Sequence, residues 1–263
     1  MFTVTAWKER KIKQEPISVI TCYDFTFSKL ISNTNIDAIL VGDSAGMVVH
    51  GFKDTIQITD KMIVTHIEAV RRGAREKFII GDLPFLSYRK SLSETMNVVD
   101  RFLKAGANAV KLEGVDGNED AIRYIIQSGV PVMGHVGLTP QFVNNFGGFK
   151  VQGKDAAGAK KILVDAKKLE ELGCFSIVLE CIPTALGKEI SKSVSIPTIG
   201  IGAGEHTDGQ VLVLYDLLGL TEYQKPKFVR EFFDGKNSMR EAIEKYDAEV
   251  KSKLFPTKSE SYG

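Results

Sequence analysis

The chain is poor in the residues that would place it outside the cell or in a membrane. It has three cysteines in 263 residues, Cys22, Cys174 and Cys181. Their spacing contains no CxxC pair, so neither a disulfide framework nor a zinc knuckle is expected, and a reducing compartment suits them. No apolar run reaches transmembrane length. The first residues, Met1-Phe2-Thr3-Val4-Thr5-Ala6-Trp7-Lys8, lack the apolar core of a signal peptide. A cytoplasmic location with no membrane partner is therefore expected. Excess charge of one sign is also missing, with 34 Lys+Arg against 33 Asp+Glu. That balance excludes the basic footprint of a nucleic-acid binder. A glycine-rich turn after the first strand is missing too: Thr21-Cys22-Tyr23-Asp24 stands there, which disfavours a dinucleotide-binding doubly wound sheet.

What the sequence has is a rhythm of short apolar runs separated by amphipathic segments. Strands are expected over 17–21, 37–41, 77–81, 109–112, 130–134, 175–179, 196–201 and 211–214. Helices are expected between them: from a Thr5 cap to Lys11, and after Asp24, after Thr59 or Asp60, and after Ser91 or Ser93. Others are expected over 118–128, 155–172 and 183–194, and across most of 226–251. The strands show no period-two alternation, as in parallel sheets covered on both faces. Eight such units in about 250 residues define a (β/α)8 barrel. No linker interrupts them. The chain reads as a single domain, 1–263, with a short N-terminal helix and a C-terminal helical region.

Five of the runs end in ionisable residues: Asp43, Asp82, Lys111 with Glu113, His135, and Glu180. In a barrel all strands point the same way, so these ends meet on one rim, where the active sites of this fold lie. The two longest connections, 44–58 and 138–154, belong to the same rim. Several carboxylates held close together need a compensating cation. Oxygen ligands without a Cys/His cluster select Mg²⁺ rather than Zn²⁺. Asp43 and Asp82 fit as ligands, with Glu113 direct or through water. A chelating 2-oxo acid fits the remaining positions, its carbonyl polarised and its enolate held by the metal. Glu180 is the candidate base. Lys111 either neutralises the substrate carboxylate or stabilises the enolate oxygen, and His135 is a substrate contact or a hydrogen-bonded core residue.

Each of these has a plainer reading. A single aspartate at a strand end is commonly a turn former. Two of them, each after glycine on successive strands, favour the ligand reading. Gly42-Asp43-Ser44-Ala45-Gly46 fits the nucleophile elbow, but Met47-Val48-Val49-His50-Gly51 is a poor helix start, so Ser44 is expected to contact substrate rather than attack it. Gly200-Ile201-Gly202-Ala203-Gly204 is an anion-binding turn or simply a tight one. A Lys111 Schiff-base aldolase is the nearest chemical rival. His50, His66 and His206 lack ligand spacing.

Several strings also carry a family likeness. They are Val41-Gly42-Asp43-Ser44, Asp82-Leu83-Pro84-Phe85, Val110-Lys111-Leu112-Glu113-Gly114, Gly134-His135-Val136-Gly137-Leu138-Thr139-Pro140, Val178-Leu179-Glu180-Cys181, Pro197 to Gly204 and Asp208 to Val213. In this order they resemble the ketopantoate hydroxymethyltransferase family over roughly residues 3 to 233. The resemblance implies a barrel of the phosphoenolpyruvate/pyruvate superfamily, often a homodecamer. It implies transfer of a hydroxymethyl group from 5,10-methylenetetrahydrofolate to 3-methyl-2-oxobutanoate, giving 2-dehydropantoate, in pantothenate biosynthesis. It also implies Mg²⁺ at Asp43, Asp82 and Glu113, substrate contacts from Asp43, Ser44, Asp82 and Lys111, and Glu180 as proton acceptor. A Mg²⁺-dependent 2-oxo acid lyase or aldolase of the same superfamily is the alternative. The sequence departs from the family at Thr207, where cysteine is usual, and at Tyr215, where histidine is common.

Overall fold

A computed structural model describes every residue except Met1, Gln224 and Gly263. It separates into two compact units, Met1–Val213 and Leu214–Gly263. The first is a closed barrel of eight parallel strands in sequential order. These are β1 (Ile17–Thr21), β2 (Ala38–Val41), β3 (Phe78–Asp82), β4 (Ala109–Lys111), β5 (Val132–Gly137), β6 (Ser176–Glu180), β7 (Thr198–Ile201) and β8 (Gly209–Leu212). β8 pairs back onto β1, with Ile17 opposite Gly209 and Ile20 opposite Leu212, so the sheet has no open edge.

The helices of this unit are α1 (Val4–Lys13), α2 (Phe25–Ser32), α3 (Ala45–Val48), α4 (Asp60–Gly73), α5 (Leu92–Ala105), α6 (Glu119–Gln127), α7 (Val143–Phe146), α8 (Ala156–Glu171) and α9 (Thr184–Ser193). Side chains that accept a backbone N–H set several starts: Asp24 for α2, Thr59 for α4, Ser91 for α5 and Asp155 for α8. The cap of α1 is Thr3, two residues before the expected Thr5, its Oγ1 accepting from the Ala6 N–H. α4 buries Ile63, Ile67 and Val70, which recur at the helical period.

The barrel interior decides the chemistry. One cluster of buried side chains contains Val19, Ala38, Leu40, Phe78, Ile80, Ala109, Met133, Val178 and Ile199, and Trp7 of α1 belongs to the same cluster. The Trp7 ring packs edge-on to Phe175 at 5.3 Å and tilted against Phe78 at 5.9 Å. Successive strand residues point to opposite faces. The inward parity set by the apolar layers therefore carries on to the C-terminal ends: Phe78, Ile80, then Asp82; Ala109, then Lys111; Met133, then His135; Val178, then Glu180. The polar residues of the rim continue the core on its own face.

The second unit contains α10 (Leu214–Leu217) and α11 (Gly235–Lys251). The helical pattern expected from Pro226 begins only at Gly235, whose N–H donates to the Leu218 carbonyl at 2.9 Å. Along α11, Met239, Ile243, Tyr246 and Val250 recur at helical spacing and are exposed. Among the described residues no helix is long and apolar enough to cross a membrane.

Candidate active site

All seven residues singled out on the sequence lie at one end of the barrel. β3 and β4 run one residue beside each other, with Asp82 opposite Lys111. Lys111 Nζ is 2.7 Å from Asp82 Oδ1 and 3.5 Å from Glu113 Oε1. The Asp43 N–H donates to Asp82 Oδ2 at 3.2 Å, which joins the end of β2 to the group. On the other side His135 Nδ1 lies 3.3 Å from Glu113 Oε1, and its Nε2 lies 3.3 Å from Glu180 Oε2. An unbroken chain of polar contacts thus runs from Asp43 to Glu180. Asp43, Asp82, Lys111, Glu113 and His135 are buried, while Glu180 is half-buried at the edge of the group.

His135 departs from the expected placement. The strand was expected to stop at Gly134, with His135 in the loop. Instead β5 continues to Gly137 and His135 points into the barrel. Gly134 is not a strand end; a Cβ there would lie 2.5 Å from Leu169 Cδ1, so the residue is small because α8 packs on it. Gly81 behaves likewise: its missing Cβ leaves room for the Phe102 ring, at 2.7 Å, and Asp82 is the last residue of the strand.

Burial and mutual charge set the protonation. Burial raises the pKa of Asp43 well above the usual carboxylate range, and the neighbouring Asp82 and Glu113 charges raise it further. Burial also raises Asp82, against the opposing pull of Lys111. For Lys111 burial alone would lower the pKa, but Asp82, Glu113 and Asp43 outweigh it and hold the ammonium. Burial likewise works against Glu113, yet Lys111 and His135 bring it below its ordinary value. Burial and Lys111 both disfavour a charged His135. The Glu113 and Glu180 carboxylates overcome them and raise it to about 9.

Two buried atoms keep unspent hydrogen-bonding capacity. Asp82 Oδ1 and His135 Nε2 each have a charged neighbour, but not on the line of a good hydrogen bond. The donor set is otherwise all oxygen. Among the described residues no three acidic, histidine or cysteine side chains stand together at cation-ligand geometry. The reason is visible in Glu113, whose Oε1 faces Lys111 and His135 while its Oε2 accepts the Gln141 N–H at 3.0 Å.

Ser44 is drawn in differently. Its Oγ is 2.8 Å from the Tyr23 hydroxyl, which donates to Thr21 Oγ1 at 2.7 Å. A helical turn, α3, does follow Ser44, contrary to expectation, but it lasts four residues. Among the described residues no histidine is hydrogen-bonded to the Ser44 hydroxyl, so the nucleophile reading lacks its base. Gly200 and Ile201 close β7, and Gly202 and Gly204 follow it at positive φ. The three cysteines are free, and burial pushes the Cys22 and Cys174 thiols up to about 12.

Sequence reasoning missed Tyr23, Tyr88 and Gln141. Their side chains are neutral and sit in connections, where neither charge nor periodicity marks them.

Gly137 supplies one test of the frame. Its φ is +97°, and a Cβ would lie 2.3 Å from the Glu180 carbonyl oxygen, which already accepts the Leu138 N–H at 2.8 Å. Gly137→Ala must push β5 and β6 apart. It is expected to cost about 1–3 kcal/mol in a urea titration. By displacing Glu180 it should also slow turnover by up to about 100-fold in an activity assay. Unchanged values for both would mean the two strand ends are free to adjust.

A closed parallel barrel with acid–base groups along its C-terminal rim is the architecture of a (β/α)8-barrel enzyme. Solved structures share the fold. Phosphonopyruvate hydrolase in complex with oxalate and Mg²⁺ superposes with a TM-score of 0.65 at 10% identity, over 99% of this chain and 93% of that one. The 2,3-dimethylmalate lyase, a PEP mutase/isocitrate lyase superfamily member, does so with a TM-score of 0.65 at 15% identity, over 95% and 89%. At such identities the likeness is one of fold. Sequence is more specific. The family model of ketopantoate hydroxymethyltransferase matches residues 1–258. The 3-methyl-2-oxobutanoate hydroxymethyltransferase of Francisella tularensis subsp. tularensis is 53% identical over 262 residues, covering 100% of this chain and 99% of that protein. Those of Bdellovibrio bacteriovorus and Coxiella burnetii are 51% and 50% identical, covering 100% and 95% of this chain and 100% and 94% of theirs. The chain belongs to the ketopantoate hydroxymethyltransferase family.

Proposed function

We propose that the protein transfers a hydroxymethyl group from 5,10-methylenetetrahydrofolate to 3-methyl-2-oxobutanoate, giving 2-dehydropantoate and tetrahydrofolate, as a cytoplasmic step of pantothenate biosynthesis. Family membership supports the reaction. The observation that carries the mechanism is an excess of carboxyl groups: those of Asp43, Asp82 and Glu113, all buried, face the buried ammonium of Lys111, and burial with mutual charge pushes Asp43 and Asp82 toward the protonated form. His135 and Glu180 offset one another beside them.

A divalent cation offsets that excess, and the residues fit one. Mg²⁺ commonly takes one or two carboxylates and fills its shell with water and substrate. Asp43 and Asp82 would hold it, Asp82 Oδ1 having capacity to spare, with Glu113 beside them, its oxygens facing Lys111, His135 and the Gln141 N–H. When bound, the cation polarises the 2-oxo group and acidifies the adjacent C3–H. Lys111 neutralises the charge that develops on the substrate oxygens. Ser44 and its neighbours beyond β2 orient the acid.

Glu180 takes the C3 proton. His135 stands beside the base, its Nε2 3.3 Å from Glu180 Oε2. C3 then bonds to the methylene carbon, whose bonds to N5 and N10 of the folate break; water supplies the hydroxyl group, the two nitrogens are reprotonated by the proton from C3 and the other proton of water, and tetrahydrofolate leaves. A Schiff base on Lys111 fits poorly, because such lysines need a lowered pKa and this one is raised.

The exposed apolar stripe of α11 supports the homo-oligomer that the family likeness implies, up to a decamer, and sedimentation at several concentrations tests it.

The reaction test is deuterium exchange at C3 of 3-methyl-2-oxobutanoate, followed by NMR with and without tetrahydrofolate. Exchange is expected with Mg²⁺, and EDTA should abolish it until Mg²⁺ is restored. Exchange that survives EDTA, or borohydride trapping of the substrate on Lys111, would remove the cation from the mechanism. Formation of 2-dehydropantoate only with methylenetetrahydrofolate separates the transferase from a lyase.

A further inference from the structure

We propose that Gln141 is a positioning residue that turns the Asp43 carboxylate toward the cation and holds that of Glu113 away from it. It makes the connection after β5 a determinant of the site's cation affinity. The inference rests on the proposed cation site and adds a residue to it.

Gln141 lies in a short 3₁₀ turn, Pro140–Phe142, directly after β5 and Leu138-Thr139. It is 1% exposed, although it belongs to a loop. Its hydrogen bonds explain why. The backbone N–H donates to Glu113 Oε2 at 3.0 Å. Side-chain Nε2 donates twice, to Asp43 Oδ2 at 3.0 Å and to the Leu83 carbonyl at 2.9 Å. The side-chain oxygen accepts from the Tyr88 hydroxyl at 2.7 Å. One residue therefore grips two carboxylates from the connections after β2 and β4, and a third connection, residues 83–88, holds it in place. Both donors of the amide point at acceptors and its oxygen at a donor, so the orientation of the amide is fixed.

The consequence for Asp43 is geometric. With Oδ2 held by Gln141, Oδ1 is the oxygen left for a cation. On Glu113 the backbone bond takes Oε2, while Lys111 and His135 take Oε1. This residue is thus kept off the cation and shapes the field around it. Neutral donors of this kind behind metal ligands typically govern affinity by about 10–100-fold. Glutamine also suits the charge. A glutamate of the same shape would set a third carboxylate against Asp43, and an apolar side chain would leave Asp43 Oδ2, the Leu83 carbonyl and the Tyr88 hydroxyl without that partner.

The test measures cation binding without turnover. Mn²⁺ serves as a spin probe for the full-length protein, titrated by electron paramagnetic resonance in the absence of substrate. Gln141→Met is expected to raise the Mn²⁺ Kd about 10–100-fold, and Tyr88→Phe, which frees the far end of the amide, by a smaller factor. Gln141→Glu, which replaces the donor at Asp43 Oδ2 with an acceptor, is expected to displace the Mn²⁺ Kd from the wild-type value by about 10–100-fold. Turnover of Gln141→Met should recover as Mg²⁺ is raised, with kcat restored and the Mg²⁺ half-saturation displaced. A merely structural defect would not be repaired by cation. Should Gln141→Met fail to fold, the Tyr88→Phe and Gln141→Glu titrations decide. Wild-type Mn²⁺ affinity in the folded variants, within twofold, overturns the role of Gln141 alone. Wild-type protein that binds no Mn²⁺ overturns the cation site itself, and this inference with it.

Discussion

Glu180→Gln is expected to bind cation and 2-oxo acid as the wild type does, yet to exchange the C3 proton about 10²–10⁴-fold more slowly. The size of the effect follows from its position. Glu180 is the last residue of β6, on the inward face, and among the linked groups its carboxylate is the one that retains access to the mouth. The other carboxylates are occupied: Asp43 by Gln141, Asp82 by the Asp43 N–H and Lys111, Glu113 by Gln141, Lys111 and His135. Glutamine keeps the shape and the contact with His135 Nε2 but has no basic oxygen to receive a proton. Loss of exchange with retained Mn²⁺ and substrate binding would separate proton abstraction from site integrity. An exchange rate near that of wild type would take Glu180 out of the role and direct attention to His135.

Lys111→Met is expected to be the most destabilising single change in the site, by about 3–5 kcal/mol in urea unfolding at neutral pH in EDTA. Methionine approximates the stem of lysine, so little packing is lost. What disappears is the ammonium 2.7 Å from Asp82 and 3.5 Å from Glu113. Two buried carboxylates then lose their main compensation. The dependence on pH has a definite sign. Asp43 and Asp82 already have folded-state pKa values above those of the unfolded chain. Removing Lys111 raises them further. A raised carboxylate pKa subtracts stability as pH rises through the folded value, and that stability returns when the group is protonated. The gap between variant and wild type should therefore shrink toward acid pH. A loss below about 1 kcal/mol at neutral pH would mean that the cluster is neutralised by protons rather than by Lys111.

Much of the barrel was legible along the chain. Eight apolar runs, helix starts at Asp24, at Thr59 or Asp60 and at Ser91 or Ser93, and breaks at glycine place the strands and helices near their observed positions. Errors cluster at glycines inside strands. Gly81 and Gly134 read as strand ends but lie inside β3 and β5, and β8 begins at Gly209, two residues before the expected Val211. In each case the missing side chain makes room for a packed neighbour: Phe102, Leu169 and the Ile17 carbonyl oxygen. A sequence marks the absence of a Cβ, but not whether a turn or a neighbour requires it.

The candidate residues were legible for a different reason. An ionisable group at the end of an apolar strand is costly to bury without a partner, so Asp82, Lys111 and Glu180 stood out against their surroundings. Gln141 and Tyr88 did not, because a neutral side chain in a connection has no such contrast. By itself, the sequence determined the alternation of strand and helix, and with it a parallel barrel whose polar strand ends share a rim. It also fixed the set of chemical groups available there. Only the tertiary structure decided which parity of each strand faces inward, since strands covered on both faces are apolar on both and carry no period to read. The closed sheet chose that parity by packing Phe78, Ala109, Met133 and Val178 into one interior. That choice turned Asp82, Lys111, His135 and Glu180 toward each other, and brought the loop amide of Gln141 within 3.0 Å of Asp43.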